Sequence, residues 1–139
     1  MKSKLFGVLL LIEAAALLLT AAVAFHYQRI TGETDMRCFL LSAALTGAVG
    51  MLLFHIGSMN KRSSLQIRDA FMVVALAWML FSVFGMLPFL MYGTVNNVTD
   101  AFFETMSGFS TTGATILGNI DQQPHGILFW RSLKQWLGG

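Results

Sequence analysis

A chain of 139 residues is long enough for one small domain, yet 55% of its residues are hydrophobic, 12% are charged and the mean hydropathy is +0.66, which excludes an ordinary soluble composition. The formal charge of +2 comes from nine Lys and Arg against seven Asp and Glu, and the basic residues sit in short clusters between apolar runs, which argues against nucleic-acid binding. Cys38 is the one cysteine and lies within an apolar run, so the chain has no intrachain disulfide and no thiolate metal site is expected.

The first element is Leu5 to Phe25, preceded by Lys2 and Lys4 and interrupted by one charge, Glu13. At about 1.5 Å per residue it makes roughly 30 Å of helix, the thickness of a bilayer core. A secretory signal peptide is the rival reading, because a basic start, an apolar run and Ala22-Val23-Ala24 fit that pattern. The length of the run and the spans that follow favour a membrane helix. An intramembrane carboxylate is by default a functional candidate. A structural hydrogen-bonding role is expected for Glu13.

Tyr27 to Arg37 is a polar link in which Thr34 and Asp35 supply N-cap chemistry. Cys38 to Ile56 is a second uncharged span. Its Ala43, Ala44, Gly47, Ala48 and Gly50 either admit a close helix neighbour or are merely tolerated facing lipid, and the sequence leaves both open. Gly57 to Asp69 is the most polar link. Ala70 to Met91 is a third span, with a kink expected at Pro88. Lys2, Lys4, Lys61, Arg62 and Arg68 then fall on one side of the membrane against Arg29 and Arg37 on the other, with Arg131 and Lys134 near that other side. The excess of basic residues places the N-terminus in the cytoplasm.

Past Tyr92 to Thr99, a short helix capped by Thr99 or Asp100 is expected from Ala101 to Phe109. It makes only about 15 Å, so it enters the membrane and stops. Non-helical backbone at that depth is tolerated only where it is buried in protein or lines an aqueous cavity. Ser110 to Thr115 therefore needs a polar partner, and a dehydrated cation is one. The helix C-terminus aims partial negative charge at such an ion, the carbonyls that follow can replace hydration water, and all-oxygen surroundings suit a hard monovalent cation. Gly108 to Gly113 has phosphate-loop spacing, but Ala114-Thr115 stands where Lys-Ser/Thr is required. Pro124-His125-Gly126 marks a turn before Ile127 to Gly139, an amphipathic segment in which Trp130 and Trp136 suit a membrane interface. Glu104 and Arg131 are expected to pair. His26, His55 and His125 do not cluster and are not read as metal ligands. Ser107 and Ser110 lack an evident base, so an enzyme is not expected.

The run FFETMSGFSTTGAT, followed after a polar loop by FWRSLKQWLGG, resembles the first pore repeat of the Trk/Ktr/HKT family of potassium-uptake proteins, in its Trk-type membrane subunit. The resemblance covers essentially the whole chain. It implies an all-α membrane protein in which two peripheral transmembrane helices (1–58) and a cytoplasmic link (59–69) precede a potassium-channel-like repeat (70–139). In that repeat Ala70 to Met91 is M1, Ala101 to Phe109 the pore helix, Thr111 to Thr115 the filter strand and Ile127 onward the start of M2. The family's K+-coordinating carbonyls map onto Thr111, Thr112, Gly113 and Ala114, with Gly113 at the glycine associated with selectivity. The resemblance further implies a bacterial inner-membrane location, no organic cofactor, three more pore repeats beyond this N-terminal portion, a homodimer and a cytosolic nucleotide-binding regulatory subunit. The rival function is a small helical membrane interaction or assembly subunit without transport activity, with Thr111 to Thr115 only an external loop.

Overall fold

A computed structural model describes residues 2–59 and 66–139. The described residues are helical or irregular, without strands: α1 (Lys2–Thr31), α2 (Met36–Met59), α3 (Ile67–Gly85), α4 (Leu87–Tyr92), α5 (Val98–Phe109), a 3-10 turn (Ile120–Gln122) and α6 (His125–Gly138). Among the described residues, three stretches are long and apolar enough to cross a membrane: Lys2–Thr31, Met36–Met59 and Ile67–Tyr92. Each contains one of the expected spans and extends it at both ends. Most of the expected cytoplasmic link falls on residues 60–65, which lie outside the described residues.

Among the described residues, the hairpin of α1 and α2 is the most extensive helix packing. Glycines make it close. A Cβ on Gly7 would collide with the backbone of Phe54, and one on Gly57 with the backbone of Lys4. Gly50 is nearly as tight, its Cβ position lying 3.2 Å from Leu10 Cβ and from the Leu11 nitrogen. Small residues thus let these two backbones approach until main chain meets main chain. Of the small residues singled out on α2, Ala43 is buried, whereas Ala44 and Ala48 remain exposed.

The third span is broken two residues before Pro88. Pro88 has no N–H for the carbonyl of Phe84 and occupies the first turn of α4, where that loss is tolerated. Met86 takes up the break, its N–H donating to the Ser82 carbonyl at 3.1 Å. The freed end is closed from outside the helix, because Trp130 Nε1 on α6 donates to the Gly85 carbonyl at 3.0 Å. Trp130 is therefore fully buried and not at a membrane interface. The ring is needed where its N–H can reach an orphan backbone acceptor. Trp136, by contrast, is 78% exposed.

At the same end of the spans as this break, the α1–α2 turn grips the start of α6. The backbone N–H of His125 donates to Glu33 Oε2 at 3.1 Å, His125 Nδ1 lies 2.9 Å from Glu33 Oε1, and the His125 ring stacks on Tyr27 with centroids 4.0 Å apart. The Asp35 carbonyl accepts the Phe39 N–H at 3.3 Å, so Asp35 caps α2. Its carboxylate packs against Gly126 and faces the first amides of α6 without a well-formed hydrogen bond. Burial holds that carboxyl above its usual range and neighbouring Glu33 adds to the effect, while its own amide and those of Gly126 and Ile127 pull the other way.

Candidate functional site

Helix α5 starts three residues earlier than expected. Asn97 is extended, and its carbonyl accepts the Ala101 N–H at 3.0 Å, so Asn97 and neither Thr99 nor Asp100 is the N-cap. The Asn97 side chain donates instead to Asp100 at 3.2 Å. The helix has 12 residues, about 18 Å at the helical rise, and stops at Phe109. Its inner face carries Ala101, Glu104, Thr105, Gly108 and Phe109, all buried. A Cβ on Gly138 would strike the Phe109 carbonyl, so the end of α6 lies directly against the end of α5.

Beyond Phe109 the chain reverses and returns along α5. The reversal uses two left-handed residues, Thr111 at φ 58° and Gly113 at φ 74°. Glycine adopts that conformation at no steric cost, and a non-glycine residue such as Thr111 does so at some expense. The Thr111 and Gly113 N–H groups donate to the carbonyls of Gly108 (3.1 Å) and Ser107 (3.3 Å). Ser107 Oγ donates to the Ala114 carbonyl at 2.6 Å. Behind the turn, the Cβ position of Gly113 lies 3.1 Å from Gln135 Nε2 of α6.

The returning limb is fastened by Glu104, whose side chain is 2% exposed. Thr115 Oγ1 donates to Glu104 Oε2 at 3.0 Å, the Ile116 N–H donates to the same oxygen at 3.2 Å, and Arg131 Nε donates to Oε1 at 2.7 Å. Thr115 Oγ1 in turn accepts the Leu117 N–H at 3.1 Å. The pairing of Glu104 with Arg131 read from sequence is present, and the same carboxylate also holds Thr115 and Ile116. Among the described residues no donor meets the carbonyls of Thr111, Thr112 or Gly113, and these residues are exposed. Ala114 is exposed too, but its carbonyl is engaged by Ser107.

Two buried charges depart from expectation. Lys134 is fully buried, with Nζ 4.1 Å from the centre of the Phe89 ring, so it is not an outer-surface cation. Glu13 is 1% exposed, and neither of its carboxylate oxygens accepts a hydrogen bond among the described residues, unlike the role expected for it.

The TrkH family profile, described as cation transport protein, matches residues 35–139. Over 138 residues the chain is 34% identical to the Trk system potassium uptake protein TrkH of Salmonella typhimurium, covering 99% of this chain and 28% of that protein. The protein of the same name from Vibrio parahaemolyticus is 37% identical over 137 residues, 98% of this chain and 27% of that one. The crystal structure of the potassium transporter TrkH from Vibrio parahaemolyticus superposes with a TM-score of 0.85 at 33% identity, over 98% of this chain and 28% of that chain. The matched range takes in α2, the broken third span, the half-helix with its returning limb and the Arg131 that fastens it, and the chain belongs to the TrkH family of cation transport proteins.

Proposed function

We propose that this chain contributes one limb of a K+ selectivity filter to a potassium-uptake protein of the bacterial inner membrane. The observation that carries this reading is the limb running from Ser110 to Leu117, which returns along a half-helix and leaves the carbonyls of Thr111, Thr112 and Gly113 without donors among the described residues. Backbone carbonyls at membrane depth need a partner, and a dehydrating monovalent cation is the partner they fit. Ala114 completes the set of four, its carbonyl sharing its second lone pair with the ion while Ser107 fixes its direction. The carbonyl end of α5 adds partial negative charge toward the same point. An external loop, the rival reading, would have no need of a buried carboxylate to pin Thr115 and Ile116 to a helix.

Residues 1–58 act as the peripheral helix pair, 59–69 as the cytoplasmic link, and 70–139 as the first pore repeat with the start of M2. The N-terminus lies in the cytoplasm, and the burial of Lys134 removes one basic residue from the opposite side of the count. One repeat supplies about a quarter of a filter, so conduction requires the remaining repeats. The relatives named as potassium transporters support K+ as the cargo. A homodimer and a cytosolic nucleotide-binding regulatory subunit are the partners the family resemblance implies. Introduced into the full-length transporter, Gly113→Ser lowers K+ over Na+ discrimination in a rubidium-uptake competition assay. Unchanged discrimination would remove Gly113 from the filter.

A further inference from the structure

Glu13 and Lys134 come from the two ends of the chain and are buried beside the same helix. The Cβ position of Gly85 lies 2.9 Å from Glu13 Oε1 and 2.9 Å from Thr105 Cγ2, so the absence of a side chain at Gly85 admits the Glu13 carboxylate next to α5. The Cβ position of Gly108, one turn further along α5, lies 3.4 Å from both Cβ and Cε of Lys134 and 3.6 Å from its Nζ. Two glycines thus make room for two opposite charges along the buried face of the pore helix. Neither charge has a hydrogen-bonding partner among the described residues.

On α6 Lys134 lies one turn beyond Arg131, and on α5 Gly108, against which Lys134 packs, lies one turn beyond Glu104. Glu104 is already taken up by Arg131, Thr115 and Ile116. Glu104 is thus matched by Arg131, and Glu13 is the further acidic side chain buried along the same face of α5 as Lys134. A buried ion is tolerated when an opposite charge compensates it and is strongly unfavourable once that charge is removed.

We propose that Glu13 and Lys134 are a compensating charge pair that seats the pore helix, and that Glu13 is a positioning residue for the filter limb although it sits on the peripheral helix α1. The positioning part of this rests on the transport reading above. The limb depends on α5 through Ser107 and Glu104, so a shift of the face carrying Thr105 and Gly108 moves the carbonyls of Thr111 to Ala114.

The test is a double-mutant cycle in the full-length transporter with Glu13→Gln, Lys134→Met and the two combined, read as K+ over Na+ discrimination in membrane vesicles and as the melting temperature of the purified protein. Each single variant is expected to lower discrimination about tenfold by leaving one buried charge uncompensated, and the double variant to recover to within about threefold of wild type. Losses that multiply in the double variant, or a Glu13→Gln variant equal to wild type in both readouts, would overturn the pair. Where a single variant fails to accumulate in the membrane, restored accumulation of the double variant supports the pair and continued failure counts against it. A wild-type protein that takes up no rubidium would defeat the transport reading alone, since the melting arm still reads the coupling. Coupling in melting with discrimination unchanged throughout would reduce Glu13 to a structural role and remove the positioning claim.

Discussion

Arg131 Nε donates to Glu104 Oε1 across 2.7 Å, joining α6 to α5, while the other oxygen of the same carboxylate accepts from Thr115 and Ile116. Glu104→Gln keeps the shape but leaves the Arg131 guanidinium unpaired in a largely buried setting. The expected cost is about 3 kcal/mol, the lower end for a broken buried pair because Arg131 is partly exposed. Thermal melting of the purified full-length protein measures it, and a variant as stable as wild type would rule out the pair as a fastening.

Ser107 fixes the Ala114 carbonyl through a 2.6 Å hydrogen bond. Ser107→Ala deletes the donor without changing backbone or bulk, for a loss of about 1 kcal/mol. Discrimination of K+ from Na+ falls by about fivefold or less, a factor of that size corresponding to about 1 kcal/mol. Rubidium uptake in the presence of graded Na+ reads the change directly.

Trp130→Phe retains most of the ring but removes the N–H that serves the Gly85 carbonyl at the break between α3 and α4. A buried acceptor left unmatched costs about 1–3 kcal/mol, so a lower melting temperature is expected. If Trp130→Phe melted like wild type, the break would have another source of closure.

Asp35 gives a pH dependence. Its carboxyl lies above the ordinary value of 3.8, chiefly through burial, so the folded protein holds that proton to higher pH than the unfolded chain. Stability from this group is full below 3.8 and is lost as pH rises through the raised value. Asp35→Asn is uncharged throughout. Melting followed across the mildly acidic range should slope downward with pH in wild type and less so in the variant, and parallel curves would contradict the assignment.

The three spans were legible because each is a continuous apolar run of bilayer length. The half-helix and its polar end were legible because a helix that short cannot cross. Glu104 with Arg131 could be paired on charge alone. The attachment of Thr115, Ile116 and Ala114 to α5 could not, since it depends on how the chain turns after Phe109 through Thr111 and Gly113. Trp130 and Lys134 were misplaced because aromatic and basic residues near a helix start read as interfacial. The spacing of Ile127, Trp130 and Lys134 carried the correction, as the three follow one helical face and all are buried. Glu13 likewise continues the buried line of Leu10 and Leu17 on α1. The break in the third span was expected at Pro88 and begins at Met86, because a proline loses its hydrogen bond to a residue one turn back.

Glu104 reaches Arg131, 27 residues further along the chain. During synthesis the half-helix therefore emerges before the side chain that neutralises its carboxylate exists. It is also too short to be held in the bilayer by its own apolar length. The contact that holds the two helices together therefore becomes available only once α6 has been made. A substitution at Arg131 would leave the Glu104 carboxylate buried without its cation, a defect in what holds the limb rather than in the limb itself.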